Sequence, residues 1–92
     1  SSETMPLIVV FHFTDAGRLP KLSEEERRSI RAKFLEVLKD YPDVTFYGTW
    51  VDGEGRGICL WEAPSAEVVK EVVAKVLGTP PTDPVVEVKK VF

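Results

Sequence analysis

Apolar positions along the chain fall into blocks whose periods differ. In "PLIVVFHFTD" β-branched and aromatic residues run almost without interruption, which predicts a first strand over residues 7–14. Leu7, Val9, Phe11 and Phe13 lie on one side of it and Ile8 and Val10 on the other, so both faces are expected to be covered. After the loop "DAGRLPKL", Ile30, Phe34, Val37, Leu38 and Tyr41 form one helical stripe. Ser23 and Glu26 make a capping box at its start, Glu24 and Glu25 complement the positive helix end, and Pro42 stops it. "VTFYGTWV" (44–51) and "GICLWEA" (57–63) predict two more strands, and "DGEGR" between them predicts a hairpin. Ser65 caps a second helix, whose stripe is Val69, Val72, Val73 and Val76 and whose C-terminal residue is Gly78. The stiff loop "TPPTDP" leads to a last strand, "VVEVKKV" (85–91).

The order β-α-β-β-α-β predicts an α+β, ferredoxin-like fold: a four-stranded antiparallel sheet of order 4-1-3-2 with two helices on one face. Residues 1–92 read as one domain, with 1–6 as a flexible N-terminal segment. On the third strand Ile58 and Leu60 point one way and Cys59 and Trp61 the other. Cys59 and Trp61 are assigned to the sheet face without helices. The expected cover for that face is a second copy of the chain, sheet to sheet.

Composition narrows the partners. The chain is 43% hydrophobic and 29% charged, which is globular rather than disordered. A net charge of −3 with no basic stripe argues against nucleic acid and against an acidic membrane surface. The single cysteine, Cys59, excludes an intramolecular disulfide and any CxxC motif. With the single histidine, His12, it is too few ligands for a closed zinc site within one chain. The run Leu7 to Phe11 is too short to span a membrane and has no basic segment before it, so a cytoplasmic location is expected. No cofactor is expected.

Candidate chemistry gathers at the hairpin and the first strand. Gly53, Gly55 and Gly57 imitate half of a dinucleotide fingerprint, but strands lie on both sides, so a plain turn is expected. Continuous pairing across that turn sets Phe46 opposite Trp61, Gly48 opposite Cys59, and Trp50 opposite Gly57. A one-residue bulge would change those pairs and set Tyr47 beside Trp61. In either register an aromatic wall forms, read as core and interface filling or as the wall of a pocket for a flat apolar ligand. His12, between Phe11 and Phe13, is a hydrogen-bonded buried imidazole or a pocket residue. If the two phenylalanines face the helices, His12 faces the opposite layer. Cys59 reads as a small core residue, Glu62 as a helix-dipole or capping residue, and Arg18 and Arg56 as solvated charges by default, within reach of an anionic group as the alternative. The candidate pocket is thus His12, Tyr47, Trp50, Cys59 and Trp61. No metal site is expected. If there is one, it uses His12, completed by carboxylate, water or a second subunit.

"YPDVTFYGTWVDGEGRGICLWEAPSAEVVKEV" followed by "DPVVEVKKV" resembles small uncharacterised families of the dimeric α+β barrel superfamily. The likeness rests on Gly48 with Trp50, Glu62 with Ala63, and Pro84 with Val85 and Val88. It implies a dimeric α+β barrel with a ligand cavity in the layer opposite the helices. The superfamily includes oxygenases, haem-handling enzymes and isomerases, and no catalytic signature of these transfers to this chain. Two readings follow. One is a homodimeric small-ligand binding or sensing module with an apolar, aromatic pocket. The alternative is a cofactor-free or metal-assisted enzyme, oxygenase- or isomerase-like, or a metal-binding protein, using His12.

Overall fold

The computed structural model describes residues 5–92; residues 1–4 of the expected flexible segment lie outside the described residues. The elements run β1 (Leu7–His12), α1 (Glu24–Leu38), β2 (Thr45–Val51), β3 (Gly57–Glu62), α2 (Ala66–Leu77) and β4 (Val85–Val88). The four strands are antiparallel to their neighbours in the order β2-β3-β1-β4, the expected order read from the other edge. Both helices share one core with the sheet. Phe34 of α1 and Val69, Val72, Val73 and Val76 of α2 cluster with Ile8, Val10, Cys59 and Trp61.

Both helices begin where the caps place them and α2 ends at its expected Gly78, whereas α1 ends at Leu38, ahead of Tyr41 and the expected stop at Pro42. Ser23 Oγ accepts the Glu26 N–H at 3.0 Å, and the Glu26 carboxylate accepts the Ser23 N–H at 2.8 Å. Ser65 Oγ accepts the Val68 N–H at 3.3 Å, and Gly78 closes α2 in the left-handed conformation. Such an N-cap contributes about 1 kcal/mol. The two helices differ in how deeply they seat. Four valines of α2 are buried, against Phe34 alone in α1. The N-terminal half of α1 therefore stands over the sheet with room beneath it.

Three readings of the sequence are corrected. The first strand stops at His12 instead of residue 14, because the N–H groups of Phe13 and Thr14 turn to the Asp83 carboxylate, at 2.6 and 2.9 Å. The last strand ends at Val88 instead of residue 91. The two sheet faces are also exchanged. Ile8, Val10, Cys59 and Trp61 face the helices, and Trp61 is fully buried there. Ile58 and Leu60 face the open side, with Leu7, Val9 and Phe11. His12 shares the side of Ile8 and Val10, so it too faces the helices. β1 is apolar at every position from Leu7 to Phe11, so alternation alone could not orient it.

The hairpin register also departs from continuous pairing. Thr45 pairs with Glu62 and Phe46 with Trp61, as expected. The register then slips by one residue, and Gly48 pairs with Leu60, Thr49 with Cys59 and Trp50 with Ile58. This is a bulge between Phe46 and Gly48. Gly48 carries a φ of 144°, which a side chain rarely adopts. Past the bulge, Thr49 faces the helices and Trp50 the open side. The tilted Phe46 and Trp61 rings, centroids 4.4 Å apart, meet Phe34 above them. The Trp61 indole N–H has no partner among the described residues, a loss of about 1–3 kcal/mol set against a large apolar burial.

Candidate functional site

The space under α1 is an open cleft of about 900 Å³, within the size range of small-molecule sites. Ile30 and Phe34 form its helical wall, Phe46 and Val10 part of its sheet floor, and Leu19 and Leu22 its loop wall. The loop wall is fixed at both ends. The Leu19 N–H donates to the Gly55 carbonyl at 2.8 Å, which ties the loop to the hairpin turn. At the other end the loop lies on Asp83, and a Cβ at Gly17 would collide with that carboxylate. Only glycine permits this approach.

One row of polar side chains crosses the otherwise apolar floor. Cys59 on β3 is flanked by His12 on β1 and Thr49 on β2. Cys59 Sγ lies 2.9 Å from His12 Nε2 and 2.9 Å from Thr49 Oγ1. His12 Nδ1 lies 2.8 Å from the Gly17 carbonyl oxygen. A carbonyl can only accept, so Nδ1 carries a proton and neutral His12 presents Nε2 as an acceptor. The row then reads in one direction: the Thr49 hydroxyl donates to the sulfur, the thiol to Nε2, and Nδ1–H to Gly17. The local cause is in the pairing. Gly57 stands opposite His12 and leaves the imidazole free to lean across to Cys59. The bulge supplies Thr49 where continuous pairing would have placed Gly48.

Burial pushes the Cys59 thiol up to about 11, with the Thr49 hydrogen bond pulling the other way. A neutral thiol is a poor nucleophile and an adequate donor. Asp83 lies outside the row but holds its loop. Its buried carboxylate accepts the Thr14 hydroxyl and the Phe13 and Thr14 N–H groups. The Thr14 hydroxyl first, then these N–H groups, hold it below its ordinary value.

The five expected site residues divide. His12 and Cys59 line the cleft. Trp61 lies beneath its wall, against Phe46 and Phe34. Trp50 and Tyr47 are about half exposed on the open side, where the Tyr47 hydroxyl donates to Glu62 at 2.5 Å. The glycine-rich stretch is a turn, closed by Asp52 N–H to Arg56 carbonyl at 2.8 Å. Thr49, Gly17 and Asp83 were missed. A glycine inside a strand is a signal for a bulge, and Gly48 could have pointed to Thr49. No comparable signal joins Asp83 to a loop some seventy residues before it.

A family model described as nickel responsive protein SCO4226-like matches residues 9–88. The chain belongs to the SCO4226-like family. No curated protein and no solved structure matches it. The match spans both helices and all four strands except the first two residues of β1, and its description names no catalytic activity.

The family description raises the question of nickel. His12 Nε2 and Cys59 Sγ are a soft, adjacent donor pair of the kind late first-row metals accept. Among the described residues, no group of three or more His, Cys, Asp or Glu side chains could hold a metal ion. The pair would also have to lose the thiol proton first. The described donors of one chain therefore do not fit a closed nickel site. Among the described residues, no helix is long and apolar enough to cross a membrane.

Proposed function

We propose that this protein is a homodimeric small-ligand binding or sensing module, with its ligand site in the cleft beneath α1. One observation carries the reading: a cleft of about 900 Å³ whose apolar floor is crossed by the Thr49–Cys59–His12 row. Apolar walls with a few convergent polar groups are the usual makeup of a small-molecule site. The thiol that burial holds neutral favours binding over nucleophilic catalysis. For the enzyme alternative, the titratable side chain hydrogen-bonded to His12 among the described residues is the neutral Cys59 thiol, while the Asp83 carboxylate is engaged by Thr14 and Phe13.

The dimer rests on the open side of the sheet. Leu7, Val9, Phe11, Trp50, Ile58 and Leu60 make it apolar across three strands, and Trp50 is 56% exposed. A face of that kind calls for a partner. Pairing two copies through it leaves both clefts accessible, because each cleft lies on the opposite side of its sheet. Light scattering should give twice the 10.3 kDa chain mass, and Leu60→Lys should return it to the single-chain value. A monomer in the parent protein removes the dimer.

The ligand site is tested by tryptophan fluorescence and thermal shift against flat aromatic compounds and nickel, zinc and copper ions. A ligand against Phe46 should perturb the emission of Trp61 behind it. His12→Ala should weaken that response and keep the far-ultraviolet spectrum of the parent. If Phe46→Ala and His12→Ala respond to every bound compound as the parent does, the site is elsewhere.

A further inference from the structure

We propose that the cleft takes a small organic carboxylate with an apolar body, its carboxylate held at the rim by Arg18, Lys21, Arg27 and Arg31. This deepens the ligand-binding reading and rests on it. Two of these cations come from the loop after β1 and two from α1, and all four line the same cleft. Arg27 and Arg31 are one helical turn apart and so project from the same face of α1. In a chain of net charge −3, this concentration runs against the average.

Among the described residues, pairing separates these four cations from five of the other eight, while Lys33, Lys89 and Lys90 are unpaired as well. Arg28 pairs with Glu24, Lys39 with Glu36, Arg56 with Glu54, Lys70 with Glu67 and Lys75 with Glu71, at 3.0 to 3.7 Å. Among the described residues, none of the four rim cations has an ion-pair partner. The two acids that line the cleft are both engaged. Glu54 pairs with Arg56, and Asp52 accepts the N–H groups of Glu54 and Arg56 at 2.8 and 3.0 Å. The charge left for a ligand is therefore positive, and it sits at the mouth.

Beyond the mouth the walls are Ile30, Phe34, Phe46 and Val10, and the floor offers hydroxyl, thiol and imidazole without a fixed charge. A ligand that fits both parts carries one anionic end and a mainly apolar remainder. A carboxylate suits this better than a phosphate, because a dianion would carry more hydration into a cleft with such walls. Guanidinium groups also match a carboxylate in shape, through paired N–H donors.

The test uses naphthalene-2-carboxylate, its uncharged analogue 2-naphthol and 2-naphthyl phosphate, with calorimetry on the full chain. The carboxylate should bind at least about tenfold more tightly than either analogue, a difference of about 1.4 kcal/mol. Its affinity should fall with added salt, as expected for attraction between exposed charges. Arg18→Gln with Arg31→Gln should erase the preference over 2-naphthol while leaving the ligand-free unfolding midpoint unchanged. Ile30→Trp, which fills the cleft, should abolish binding of all three.

Equal binding of acid and alcohol, blocked by Ile30→Trp, overturns the carboxylate and leaves the cleft as a site. A preference for the phosphate also overturns the carboxylate. Binding that Ile30→Trp does not change, or no binding of any probe at millimolar concentration, overturns the cleft itself.

Discussion

Trp50 and Trp61 stand on paired strands of one hairpin and occupy opposite environments. Trp61 is fully buried under α1, while Trp50 is 56% exposed on the other side of the sheet. Residue type, strand propensity and neighbouring aromatics are much alike for the two. The difference comes from the bulge at Gly48, which sets Trp50 against Ile58 instead of Gly57. Burial in a sheet is thus decided by register as much as by hydrophobicity, and a single residue of register separates a core position from a surface one.

The largest test of that contrast is the pair of alanine substitutions. Trp61→Ala should cost about 3–5 kcal/mol of unfolding free energy, the range for a buried aromatic ring. In a chain made monomeric by Leu60→Lys, Trp50→Ala should change it by no more than about 0.5 kcal/mol. Urea denaturation reads both. Comparable losses at the two sites would break the comparison.

The next effect belongs to pH. The Cys59 thiol titrates at about 11 in the folded chain against an ordinary 9.0. A folded value above the unfolded one stabilises fully below the unfolded value and is lost as pH rises through the folded one. Folding should therefore weaken between pH 9 and 11, by about 2–3 kcal/mol at one pH unit per 1.36 kcal/mol. Cys59→Ser has no thiol to ionise, so the difference between the two proteins isolates this contribution from lysine and tyrosine titration. Parallel stability curves over that window would show the thiol to be as free as in the unfolded chain.

Two smaller effects flank the bulge itself. Thr49→Val removes the hydroxyl that donates to the sulfur, and should cost about 1 kcal/mol and raise the thiol further. Alkylation of Cys59 as a function of pH reads that shift, and a downward move would reverse the donor assignment. Tyr47→Phe, two residues away on the open side, removes only an exposed hydrogen bond to Glu62 and should stay within about 0.5 kcal/mol. A larger loss for Tyr47 than for Thr49 would place the structural burden on the wrong face.

These effects also mark what a reader of the sequence can and cannot see. Ser65, the valine stripe and Gly78 agree on α2, and the helix lies where they put it. Ser23 and Glu26 do the same for the start of α1. Local chemistry fixes local structure, and the element order then leaves little choice of topology. The orientation of β1 was not legible, because its apolar run has no polar side to assign to water. The polar row was not legible either. It joins His12, Thr49 and Cys59 from three strands, and it exists only once the register past Gly48 is known. The Asp83 anchor depends on a contact between distant stretches of chain.

A strand is a periodic object with two settings, and the bulge at Gly48 is a change of phase halfway along β2. Were the same residues paired continuously, Gly48 would meet Cys59 and the Trp50 indole would swing to the helix side opposite Gly57. The sulfur would lose its hydroxyl neighbour, and a large ring would occupy space that is now hollow. The same residues can therefore line an open interior or a filled one, according to whether one of them is left unpaired in the strand. The cleft is, in that sense, a property of counting: it is recorded in the register of β2 before it is recorded in its composition.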